Sequence, residues 1–108
     1  MANKTVICTY RVRADAERTF VALLASHWPV LHGLGFVTDD DPLVLRGDDD
    51  GGGPTYVEIF TWVENGFELA HEHPDVLAIW EPMDPLLEER DGRPKWEFPH
   101  FDSISLPR

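Results

Sequence analysis

The stretch TYVEIFTWV, residues 55–63, alternates with a period of two, and both of its faces are largely apolar. Tyr56, Glu58, Phe60 and Trp62 fall on one side, and Val57, Ile59 and Val63 on the other. β-Branched and aromatic residues at this spacing specify a strand. One face can pack under helices. The other then needs a cover of its own, because large exposed apolar patches mark interfaces or ligand grooves.

The flanking sequence supplies the rest of a sandwich. Residues 5–13, TVICTYRVR, alternate in the same way: Val6, Cys8, Tyr10 and Val12 share one face, and Ile7, Thr9 and Arg11 the other. An amphipathic helix follows, with Asp15 as its expected N-cap and Phe20, Leu23, Leu24, His27, Trp28 and Leu31 at helical spacing. Pro29 is expected to kink or end it. Residues 36–46 read as a second strand interrupted near Pro42, which marks an edge or a bulge, and GDDDGGGPT reads as a turn. Residues 64–90 are helical in pieces. Glu64 or Asn65 opens the first, Pro74 takes the first helical position of the second, and Val76, Leu77, Ile79, Trp80 and Met83 form its buried stripe. KWEFPHFDSISL is the closing strand, with Trp96, Phe98, His100, Asp102 and Ile104 on one face.

The order is βαββαβ. It predicts a single α+β domain over residues 1–108, a ferredoxin-like sandwich of four antiparallel strands with two helices on one face. The helix-free face would carry either the Tyr56, Phe60 and Trp62 set or the Val57 and Ile59 set, and an aromatic patch bare to water predicts a homodimer stacked sheet to sheet.

Charge and composition remove several function classes. The 20 acidic and 9 basic residues give a net charge of −11. That balance lacks the cationic footprint of a nucleic-acid binder or of a polybasic membrane patch. No stretch approaches the ~20 apolar residues of a spanning helix. The N-terminal residues lack the apolar core of a secretory signal, so a cytoplasmic location is expected. Cys8 is the only cysteine. It reads as a small buried hydrophobe, with no basic neighbour to activate it. The run of aspartates and glycines after Gly47 fails as a calcium loop: counted from Asp48, position five is Gly52 and position twelve Ile59. Its glycines precede no helix, so no phosphate cradle follows.

The residues with chemistry cluster around the second helical region. His71 and His73 lie two apart, which on a helix sets them roughly 200° apart, and Pro74 makes His73 a neighbour of a helix cap rather than a ligand. A metal centre needs three or four convergent donors. His71, His100 and Glu58 are the set that could converge, and our reading assigns no metal. General acid–base chemistry fits them better, since histidine titrates near neutrality. Tyr10, Trp62, Trp80, Trp96 and Phe98 would wall an apolar pocket, and Arg11 either binds a substrate carboxylate or pairs with an acid on the adjacent strand.

YRVRADAERTF entering the first helix, and IFTWVENGFELAHEHPDV running from the third strand into the second, resemble the dimeric α/β-barrel superfamily, in particular its antibiotic-biosynthesis-monooxygenase-like branch. The resemblance spans residues 6–104. Trp62, Glu64 and His71 fall on the branch's Trp, acidic and first His positions. Phe60 stands where the branch usually has Glu, and Val76 near its second His. The HWP, EPM and EFPH segments look like an uncharacterised bacterial subgroup. The resemblance implies a barrel-like homodimer with a pocket between sheet and helices. It also implies no cofactor, and oxygenase-like or isomerase-like proton chemistry on a small apolar or aromatic ligand. His71 is then the first catalytic residue, with His100 and Glu58 behind it; Arg11, Tyr10, Trp62, Trp80 and Phe98 contact substrate. The rival class is a non-catalytic ligand-binding or structural dimer, which a pocket filled by Trp62, Trp80 and Trp96 would favour.

Overall fold

In the computed structural model, which describes residues 3–49 and 52–107, the chain forms β1 (Lys4–Arg11), α1 (Glu17–Gly33), β2 (Leu43–Asp48), β3 (Pro54–Trp62), α2 (Gly66–His71), α3 (Pro74–Met83), a 3-10 turn (Asp84–Leu86), β4 (Trp96–Glu97) and β5 (His100–Phe101). The architecture is α+β, with one antiparallel sheet in the order β2-β3-β1-β4, and β5 pairs with β1 beside β4. This is the strand order of a ferredoxin-like sandwich.

The long pairing of β1 with β3 places Tyr10 opposite Tyr56, Cys8 opposite Glu58 and Val6 opposite Phe60. All six side chains are buried on one face, against α1, whose Phe20 packs on Tyr10 and Tyr56 and whose His27 meets Glu58 and Phe60. The aromatic residues of β3 therefore face the helices. The helix-free face carries Ile7, Leu43, Leu45, Val57 and Ile59, joined by the registers Ile7↔Ile59, Leu43↔Ile59 and Leu45↔Val57. It is aliphatic rather than aromatic, and Leu43 and Leu45 are 53% and 50% exposed.

Three elements depart from the sequence expectation. The second strand begins at Leu43, and Val37 makes only an isolated bridge to Trp62. Phe36 instead closes the entry to α2: its carbonyl accepts from Val63 N–H at 3.0 Å. Gly66 packs against that carbonyl so closely that a Cβ there would collide with it. The closing strand is split by Pro99, which has no N–H to offer the ladder; only its carbonyl takes part, accepting from Ile7 N–H at 3.1 Å. Helix α1 runs through Pro29 to Gly33, with Ala16 rather than Asp15 at its N-cap. The burial of Phe20, Leu24, His27 and Leu31 along one stripe holds it together across the proline.

The start of α2 uses Asn65 in the left-handed region, φ 66°, which a short polar side chain tolerates. Pro74 occupies the first turn of α3, and His73 caps it, its Nδ1 accepting from Asp75 N–H at 3.1 Å. Of the turn read at residues 47–55, Asp50 and Gly51 lie outside the described residues; Gly52 N–H closes it on Asp49 O at 2.8 Å. Among the described residues no helix is long and apolar enough to cross a membrane.

Candidate functional site

A cavity of about 340 Å³ lies between the helix-facing side of the sheet and the helices. That volume suits a ligand with one or a few rings. Its floor is Val6 and Cys8 of β1 with Phe60 and Trp62 of β3. Helix α1 contributes His27, α2 contributes Phe67 and His71, and α3 contributes Trp80 and Glu81. Asp84, Trp96 and Phe98 complete the wall. Trp62, Trp80 and Trp96 line this space without filling it.

The polar centre is a buried chain of hydrogen bonds behind the wall. Glu58 is 1% exposed and His27 2% exposed. His27 Nδ1 lies 2.9 Å from Glu58 Oε1 and 3.1 Å from Oε2. The Tyr10 hydroxyl donates to the same Oε1 at 2.8 Å. On the far side of the imidazole, the Trp80 indole N–H donates to His27 Nε2 at 2.9 Å. Indole nitrogen only donates. Nε2 is therefore an acceptor, Nδ1 carries the proton, and Glu58 receives two hydrogen bonds as a carboxylate. Burial pushes the Cys8 thiol far up, and the neighbouring Glu58 charge adds to it. The Tyr10 phenol is likewise raised, by burial first and then by Cys8 and Glu58. Both groups stay protonated in the folded chain at neutral pH.

His71 is held differently. Its Nδ1 donates to the Phe67 carbonyl one helical turn back, at 2.9 Å. That bond fixes the tautomer and leaves Nε2 with its lone pair; among the described residues nothing hydrogen-bonds to it. The ring packs edge-on against Trp80 at 4.8 Å and Phe67 at 4.3 Å. Trp80 thus touches both histidines of the cavity.

The structure sorts the residues expected from the sequence into three groups. His71, Trp62, Trp80 and Phe98 line the cavity. Glu58 and Tyr10 stand behind His27, one layer from it. His100 and Arg11 lie elsewhere. His100 lines a separate recess with Lys4, Asn65 and Glu68, with Phe67 packed against its ring at 4.7 Å. Arg11 points to the helix-free side, where Nη1 pairs with Glu97 Oε1 of β4 at 2.8 Å and also donates to Pro94 O at 2.6 Å. It is thus the partner of an acid on the adjacent strand, away from the cavity. Among the described residues no three His, Cys, Asp or Glu side chains are grouped to hold a metal ion.

His27 is the residue that sequence reasoning overlooked. It was visible only as one member of the apolar stripe of α1. The signal was its pairing with the other polar residue on a buried face, Glu58 between Tyr56 and Phe60.

No protein-family model matches the chain, and no curated protein does. Among solved structures, the fold is similar to that of a mutant of SnoaB, a cofactor-independent oxygenase from Streptomyces nogalater. The likeness covers 100% of both chains with a TM-score of 0.72 and 19% sequence identity. It is a likeness of fold.

Proposed function

We propose that this chain is a cofactor-independent, monooxygenase-like enzyme acting on a small aromatic or enolisable substrate by histidine-assisted proton abstraction. The observation that carries the proposal is the ring-sized aromatic cavity with His71 on its wall, its Nδ1 held by Phe67 O and its Nε2 without a hydrogen bond among the described residues. The oxygenase with the similar fold supports it. His71 Nε2 takes a proton from the reacting carbon of the substrate, leaving an enolate. The anion's carbon then gives an electron pair to dioxygen, the co-substrate and oxidant. A C–O bond forms, dioxygen is reduced to the level of peroxide, and the proton returns to give a hydroperoxide. Loss of water from that hydroperoxide yields a ketone. Positioned proton transfer of this kind accelerates a step by roughly 10²–10⁴.

An oxygen electrode tests the proposal, with anthrones and hydroxyanthrones as substrates. Wild type is expected to consume dioxygen, and His71→Ala to lower the rate by about 10² or more. No uptake by wild type on any of them would overturn the proposal, and equal uptake by His71→Ala would remove that residue from the chemistry.

We further propose that a second copy of the chain covers the aliphatic sheet face. Ile7, Leu43, Leu45, Val57 and Ile59 sit on three adjacent strands with no helix over them, which is the arrangement a self-complementary interface needs.

A further inference from the structure

We propose that His27 and Glu58 form a second proton-accepting pair in the cavity, capped at rest by the Trp80 indole and opened when a hydroxyl on the aromatic ligand displaces that indole from His27 Nε2. This rests on the function proposed above and assigns a second histidine of the same cavity a separate task. His27 Nδ1–H points at the Glu58 carboxylate, 2.9 Å away, so an imidazole that gains a proton on Nε2 has its positive charge met at once. The Tyr10 hydroxyl donates to the same carboxylate oxygen at 2.8 Å. The acceptor nitrogen faces Trp80, and Trp80 belongs to the cavity wall. Trp80 is only partly buried, whereas Val76, Ile79 and Met83 anchor α3. Its ring can therefore shift without dismantling the helix packing.

The surroundings say where the ligand's proton must go. Among the described residues no Lys or Arg lines the cavity, and its charged lining residues, Glu81 and Asp84, are acidic. Lys95 lies outside, paired with Asp84 at 3.3 Å. The Cys8 thiol and Tyr10 hydroxyl keep their protons. Besides His71, the counter-charge open to a hydroxyl ionised in this cavity is the protonated His27, backed by Glu58. The O–H bond breaks, the proton bonds to Nε2, and the ligand keeps the electron pair as a phenolate. His71 remains available for a proton at the reacting carbon.

4-Nitrophenol is the probe, because its ionised form absorbs in the visible, and 4-nitroanisole is the matching ring without a hydroxyl. At a pH below the phenol's own midpoint, wild type is expected to bind it with a larger phenolate fraction than free solution shows. His27→Gln and Glu58→Gln should each lower the bound phenolate-to-phenol ratio by about tenfold, the worth of one lost charge-assisted hydrogen bond. His71→Ala should change the ratio by less than either Gln variant does. Trp80→Phe removes the cap's N–H and should favour the phenol over the anisole by about fivefold more than wild type does. Should His27→Gln fail to fold, Glu58→Gln and Trp80→Phe give the answer. A phenolate fraction that survives both Gln variants, or disappears in His71→Ala, overturns the inference while leaving the cavity's function standing. So does an unchanged phenol preference in Trp80→Phe. Failure of wild type to bind either probe overturns both.

Discussion

His27 Nδ1 of α1 meets Glu58 Oε1 of β3 at 2.9 Å in a region closed to water. This contact joins the helix layer to the sheet and orients an imidazole at the cavity wall. Replacing Glu58 by Ala strands two buried donors, the His27 N–H and the Tyr10 hydroxyl. At about 1–3 kcal/mol for each unmet buried group, Glu58→Ala should cost roughly 3–5 kcal/mol of stability. Glu58→Gln keeps the volume and one acceptor, and should cost about half as much. Denaturant unfolding of the two variants checks the order; equal stability of Glu58→Ala and wild type would contradict the buried network.

Stability should fall on the alkaline side. Cys8 and Tyr10 both have raised affinity for their protons in the fold, chiefly through burial. Below about pH 8 both groups are protonated in either state, and their stabilising effect is whole. As pH rises past about 8.5 the unfolded chain releases the thiol proton, and past about 10 the phenol proton, while the folded chain keeps both. The unfolded state then binds fewer protons, so each group lowers stability by about 1.4 kcal/mol per pH unit beyond its ordinary value. Thermal melts between pH 7 and 11 should show this decline, and Cys8→Ala should flatten its first part. A Tm unchanged up to pH 11 would contradict the buried, protonated state of the pair.

Sedimentation should report a dimer at micromolar concentration. Leu45 is half exposed in the single chain, so Leu45→Lys should leave the subunit fold intact. It should also shift the protein to monomer. A wild type that sediments as a lone subunit would contradict the covered sheet face.

Much of this architecture was legible because periodicity reports burial directly. The alternation in β1 and β3 and the stripes of α1 and α3 each encode one face. Which face of β3 looks at the helices was not legible, because Tyr56, Phe60 and Trp62 are as apolar as Val57 and Ile59. The deciding fact is the partner strand: Val6, Cys8 and Tyr10 oppose the aromatic set in the register of β1. Phe36 and Val37 were read as strand because they are apolar. They serve instead to close the loop between α1 and β2, with Phe36 O held by Val63 N–H. His73 could be placed beside the cap of α3 because Pro74 marks where that helix starts. His27 could not, since its partner lies 31 residues away on another layer. A polar pair of that kind shows itself only when the helix stripe and the strand parity are superimposed. Arg11 was legible in its commoner role, as the partner of an acid on the neighbouring strand.

The most direct measurement is a titration of the protein with 2-naphthol, followed by tryptophan fluorescence, in wild type and in Cys8→Phe. Cys8 lies on the floor of the cavity, and a phenyl group there would occupy the space of a ligand ring. Saturation at one site per chain in wild type, and its loss in a folded Cys8→Phe, is the result we expect. Saturable binding that Cys8→Phe leaves untouched, or no saturable binding at all, would contradict a ligand site between the sheet and the helices.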